Sequence, residues 1–330
     1  MAIIQVSQRE GSNYKTIQVA VEAALPGDTV EVDEGVYYEH VTIDKLLVLR
    51  SSEGEASSVR LTGSVRIATT EEVRFESISI GGGTGPFDYG LHIESGDVTL
   101  HHCLFSEIQG VAMRVDAAAK VSAEHSIFQK NIQGIEVFGR LALFECIVED
   151  TIKSAQISVR AGGEVAVTNS GILSGQEEGL CLYEASRATI TKSSFVGNRG
   201  VQLRLEQDSS IDVESTNFFI GHDQAIYSDQ SKGALKNCVF KNQRLEHVAC
   251  TNGSHIEVKA STFENGEAEG MNVSGSSVLL SDSQFKNQKG DHISCNEQSK
   301  LSMTKTQILS GESRGIVTSN STCTLIESEA

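Results

Sequence analysis

The sequence predicts an all-β chain wound as a single-stranded right-handed parallel β-helix, a solenoid of about 22–23 residues per coil with an N-terminal amphipathic helix as its cap. Three observations predict it. A phrase of apolar, any, apolar, two polar residues, a small Cys, Ser or Thr, any, then Phe, Ile or Val recurs ten times between residues 98 and 308. Its small residues, Cys103, Ser126, Cys146, Ser170, Ser193, Thr216, Cys238, Ser261, Ser283 and Thr306, lie 20 to 24 positions apart, the spacing of a solenoid rather than a globular core. Most copies are followed by a second alternating segment opened by glycine, such as Gly134-Ile135-Glu136-Val137 or Gly200 to Leu205.

The second segment separates the two solenoids with coils of this length. A leucine-rich coil carries one strand, whereas two period-two segments per turn, with nothing between them long enough for a helix, give strand, bend, strand, loop. Parallel crossovers are right-handed almost without exception, which sets the hand.

From the N-terminus, residues 14–25 form the cap: Ile17, Ala20, Val21 and Ala24 share one helical face, and Pro26-Gly27 stops the helix. Residues 29–80 give less regular first coils, with short strands at 29–32, 41–43, 47–49, 59–61, 65–67 and 73–75. Residues 91–328 give the regular coils, so that 1–330 reads as one domain. Phe105, Phe128, Val148, Ile172, Phe195, Phe218, Phe240, Phe263, Phe285 and Ile308 fall at one coil position and should stack inside. Asn131, Asn198, Asn265 and Asn287 follow that position, where an amide can satisfy the bend backbone and tolerate left-handed geometry. Cys323 begins an eleventh copy before the sequence stops, so the expectation is a piece of a longer protein.

Composition narrows the ligands. With 27 Lys and Arg against 44 Asp and Glu, the formal charge is −17, which opposes polyanions such as nucleic acid or pectate. Seven cysteines, an odd number, several of them more than one coil apart in an interior ladder, fit free thiols and a cytoplasmic setting. No apolar run is long enough to span a membrane.

The run Tyr14 to Ile43, through Thr16-Ile17, Ala20-Val21, Pro26-Gly27-Asp28-Thr29-Val30 and Gly35-Val36-Tyr37, resembles the opening of pectate lyase-like right-handed β-helix proteins and pectin methylesterases. The coils also look like the β-helix regions attached to bacterial AAA+ ATPases related to the stage V sporulation protein K, where they would be accessory modules. The first resemblance implies chemistry on acidic polysaccharide. The motifs for it are missing, however: aspartates occur singly, and neither a paired-aspartate pattern with Gly-His-Gly nor an esterase set of two Asp, an Arg and glutamines is present beyond the opening. The expectation is therefore of no catalytic residues, no cofactor and no enzyme. The expected role is a protein-recognition or scaffold module, joined to a protein partner or a fused downstream domain, with end-to-end self-association as a further option. A polysaccharide lyase or carbohydrate esterase on acidic polysaccharide is the alternative.

Two candidate sites remain. The glycine-rich interruption at 81–90 offers a partner-binding loop with Gly83, Phe87, Asp88 and Tyr89, against the simpler reading of a protruding loop. His102, His125 and Glu145 precede the small residue in three successive coils, so stacking sets two imidazoles and a carboxylate on one outer edge, a donor set suited to zinc; an ordinary polar ladder is the simpler reading.

Overall fold

A phenylalanine at the same position of successive coils is laid ring over ring. In the computed structural model, which describes residues 1–82 and 88–328, Phe105 and Phe128 stack at 4.6 Å. So do Phe195, Phe218, Phe240, Phe263 and Phe285, with centroids 4.2 to 5.0 Å apart and planes within 14°. All seven rings are buried. Such pairs contribute about 0.5–1.5 kcal/mol each beyond the area they bury.

The described chain divides into two units, one of residues 1–157 with 163–165, the other of 158–162 with 166–330. Each is a right-handed parallel β-solenoid built from one kind of coil. The coil has three strands, not the two expected, because the repeated phrase is broken in its middle. In unit 2 the first strand is represented by Ser210–Glu214, the second by Asn217–Phe219 and the third by Ile226–Asp229. Each pairs in parallel with its equivalent one coil on.

The break is a single residue at positive φ. His102, His125 and Glu145 in unit 1, and Asn169, Lys192, Ser215, Asn237, Ala260, Asp282, Lys305 and Glu327 in unit 2, all lie between 47° and 54°. That region is costly for residues other than Gly, Asn and Asp. The next residue explains why the corner holds. The backbone N–H of Cys103 donates to Ser126 Oγ (3.0 Å), Cys238 to Ser261 (3.1 Å), Ser261 to Ser283 (3.1 Å) and Ser283 to Thr306 (3.4 Å). Each hydroxyl in turn donates to the carbonyl two residues before it, as Ser261 does to Lys259 at 2.9 Å. Where the next coil has Ser or Thr at the small-residue position, its buried hydroxyl satisfies the corner's donor. A second hydroxyl ladder, Ser254, Ser276, Ser299 and Ser321, closes the turn into the first strand of unit 2 by the same arrangement.

In unit 1 the helix Ile17–Ala23 buries Ile17, Ala20 and Val21. Its first turn is capped from another element: both Glu39 carboxylate oxygens accept, from Ile17 N and Gln18 N, at 2.8 Å. At the other end Lys45 Nζ donates to the Val21 and Ala24 carbonyls. The six short strands expected in the first coils are all present, as Asp28–Val32, Val41–Ile43, Leu47–Ser51, Val59–Leu61, Val65–Ala68 and Val73–Glu76. Ile3–Val6, Gly35–Tyr37 and Ser79–Gly81 complete these coils and were not foreseen.

The four asparagines expected at the bend serve it in two ways. Asn131 accepts from Ile108 N and donates to Phe105 O, and Asn198 does the same for Gly175 N and Ile172 O. In the last coils glutamines take over, Gln243 receiving Gly221 N and Gln288 receiving Gly266 N, both at 2.9 Å. Asn265 and Asn287 supply the left-handed residue of the bend, at φ 55° and 56°. The amides alternate with glycines, and a methyl group at Gly221 or Gly266 would overlap the oxygen of Gln243 or Gln288.

Candidate functional site

The third strand of each coil has a residue between its two buried ones that faces outward. In unit 1 the parallel register sets His92, Arg114 and Glu136 in one row on three successive coils, flanked by Tyr89 and Asp116. His92 Nε2 lies 2.8 Å from Asp116 Oδ2, and Arg114 Nε donates to Asp116 Oδ1 at 2.8 Å. Arg114 Nη1 reaches Glu136 at 3.3 Å and the Tyr89 hydroxyl at 3.4 Å. Its guanidinium lies over the Phe138 ring at 4.6 Å, and the Tyr89 ring packs against His92 at 4.9 Å.

The His92 and Asp116 side chains are 22% and 29% exposed, so the group is half-buried yet open to a ligand. Burial works to raise the Asp116 carboxyl, but the bonds from Arg114 and His92 outweigh it and hold the group below the usual carboxylate range. Arg114 is correspondingly pushed up, chiefly by its bond to Asp116. An ionised Asp116 that accepts from Nε2–H leaves Nδ1 of His92 as the basic nitrogen. An orientable imidazole base next to a phenol and a guanidinium can move a proton and stabilise a developing oxyanion.

Of the loop candidates, Gly83 and Phe87 lie outside the described residues. Asp88 is exposed, and Tyr89 opens the strand Tyr89–His101 and joins the row just described. His92, Arg114 and Asp116 were missed. The signal was available: His92, Arg114 and Glu136 recur at 22 residues, each between two apolar positions. The inward positions were read as ladders from the sequence, whereas the outward positions of the third strand were not.

The structure does bring His102, His125 and Glu145 together, with His125 Nδ1 3.1 Å from Glu145 Oε2. The two imidazoles stack face to face, 4.9 Å apart and 13° from parallel, instead of turning their nitrogens to a common point. Among the described residues no group of three or more His, Cys, Asp or Glu placed to hold a metal ion is found. Burial, then the neighbouring His101 and His125, press the His102 imidazole below its ordinary range.

In unit 2 the equivalent outward row is Cys181, Arg204, Tyr227, Ala249 and Asn272. The guanidinium of Arg204 lies 5.1 Å from the Tyr227 ring centre, donates to Glu206 at 2.9 Å and pairs with Glu178 at 3.4 Å. All seven cysteines are free thiols, six of them buried. No helix among the described residues is long and apolar enough to cross a membrane.

Residues 217–329 match the family described as "Right handed beta helix region". No curated protein is matched by sequence. Among solved structures, the catalytic domain of a GH87 α-1,3-glucanase, a D1068A variant in complex with tetrasaccharides, is similar at TM-score 0.57 and 10% identity, over 98% of this chain and 68% of that one. The mannuronan C-5 epimerase AlgE6 A-module of Azotobacter vinelandii gives TM-score 0.49 at 11% identity, over 95% and 94%. The pectate lyase Pel9A gives 0.40 at 11%, over 98% and 78%. The expectation that the chain is not an enzyme does not stand against the first of these: a catalytic domain is built on this fold, and the missing pectin-enzyme motifs bear only on the chemistry those motifs perform.

Proposed function

We propose that the protein is a carbohydrate-active enzyme that cleaves esters on a polysaccharide, with His92 as general base. The observation that carries this reading is the 2.8 Å pairing of His92 with Asp116, beside Arg114 and the Tyr89 hydroxyl. Nδ1 of His92 takes a proton from water as its oxygen bonds to the acyl carbon. Arg114 and Tyr89 donate to the oxygen that gains charge. The acyl–oxygen bond to the sugar then breaks, and the proton passes from His92 to the sugar oxygen. Asp116 is a positioning residue that fixes the tautomer.

Two other reactions suit the site less well. Glycoside hydrolysis asks for a pair of available carboxylates, and here Asp116 and Glu136 are engaged by Arg114, and Glu94 by Arg66. Elimination from a uronate would set the substrate's own carboxylate beside Asp116 and Glu136, whose two charges exceed the one that Arg114 supplies. A sugar polymer as substrate is supported by the glucanase likeness and its bound tetrasaccharides. A scaffold or ATPase-linked role has no comparable support.

Acetate release from an O-acetylated polysaccharide, with p-nitrophenyl acetate as a small probe, tests the proposal. The native protein is expected to turn over both. His92→Gln should lower kcat/KM by about 100-fold or more, the usual scale of general-base removal. No turnover by the native protein, or full turnover by His92→Gln, overturns it.

A further inference from the structure

We infer that the outward face of the third strands in unit 2 binds an uncharged polysaccharide, through residues separate from the His92 centre. The face runs along the row Arg204, Tyr227, Ala249 and Asn272. The small Ala249 separates the Tyr227 ring from the Asn272 amide, and Glu246 lies beside them with both oxygens held, one by Gln224 Nε2 (3.1 Å) and one by Asn272 Nδ2 (3.4 Å). A planar ring flanked by fixed amides and carboxylates offers a sugar both an apolar face and hydrogen-bonding partners for its hydroxyls.

A second observation points to a ligand with donors. Asp229 and Asn272 are half-exposed on this same face, and the Oδ1 of each has no hydrogen-bond partner within the chain. A rotation of either side chain turns that acceptor toward a donated sugar hydroxyl. The Tyr227 hydroxyl is also weakly engaged, receiving only Thr251 Oγ1 at 3.4 Å. Because coils repeat every ~4.8 Å, a polymer laid across them meets the next set of groups after a step comparable to one sugar unit.

Charge selects the class. Arg204 is shared between Glu206 and Glu178, and Asp229 and Glu246 add two more carboxylates with no further cation bonded to them. Polyuronates and nucleic acids meet net repulsion there, and a neutral glycan does not.

Affinity electrophoresis of the full chain in gels containing a soluble neutral glucan, in parallel with polygalacturonate gels, provides the test. The glucan is expected to retard the native protein. Tyr227→Ala and Asn272→Ala, each checked for unchanged circular dichroism and melting, should weaken the retardation about tenfold, whereas His92→Gln should leave it intact. No retardation by glucan, tighter binding of polygalacturonate, or equal retardation of folded Tyr227→Ala overturns the inference. Ester turnover by Tyr227→Ala on p-nitrophenyl acetate separates its failure from that of the proposed function, since the two sites share no residue.

Discussion

His247 is an ionisable side chain placed where a charge cannot be tolerated. It is fully buried, edge-on to Phe240 and Phe263 at 6.3 and 6.0 Å, and neither ring nitrogen makes a hydrogen bond. Burial presses its imidazole down to about 3, against a smaller opposing pull from the Glu264 backbone carbonyl. The unfolded chain takes up that proton near pH 6.5, the folded chain only far below it. Stability from this residue is therefore complete above about pH 6.5 and is lost as pH falls toward 3. Thermal melts from pH 7 to 4 are expected to show a falling melting temperature for the native chain and a flatter profile for His247→Gln. Glutamine is the fitting replacement because Gln202 holds the same position two coils earlier.

At the scale of the element, the corner shows what sequence patterning can and cannot reveal. The small residue was legible as a corner because it recurs. The left-handed residue before it was not, since Lys192, Glu145 and Ser215 carry no composition signal for positive φ and are held there by their neighbours. For the same reason the phrase read as one strand and proved to be two. Ser261→Ala should cost about 1–3 kcal/mol, by leaving the Cys238 N–H without its acceptor. Ala260→Asn, at φ 50°, should instead raise stability by about 0.5–1 kcal/mol, because asparagine tolerates that geometry. Chemical denaturation of the two variants against the native chain checks both signs.

For the molecule as a whole, the fold was legible because burial repeats: each interior position has the same partner one coil away, so a side chain too large or too polar would be felt several times over. The candidate sites were hidden because function uses the outward positions, where neighbouring coils differ. Nothing in Leu91-His92-Ile93 announces a site until Arg114 and Asp116 are laid beside it. The formal charge of −17 acts at this scale too. Neutral-glucan retardation should be nearly unaffected between 20 and 300 mM salt, whereas any polygalacturonate binding should appear only as salt screens the repulsion.

The alternation of Asn198, Gly221, Gln243, Gly266 and Gln288 makes the heritable module of unit 2 a pair of turns, and gives the stack a parity. Excising 243–287, 45 residues, would bring Gln288 to Gly221 and restore the match; excising 243–265, 23 residues, would set Gly266 against Gly221 and leave a hole where an amide belongs. Lengthening or shortening by even numbers of turns should give variants that fold as sharply as the parent, and odd numbers should give variants that melt early.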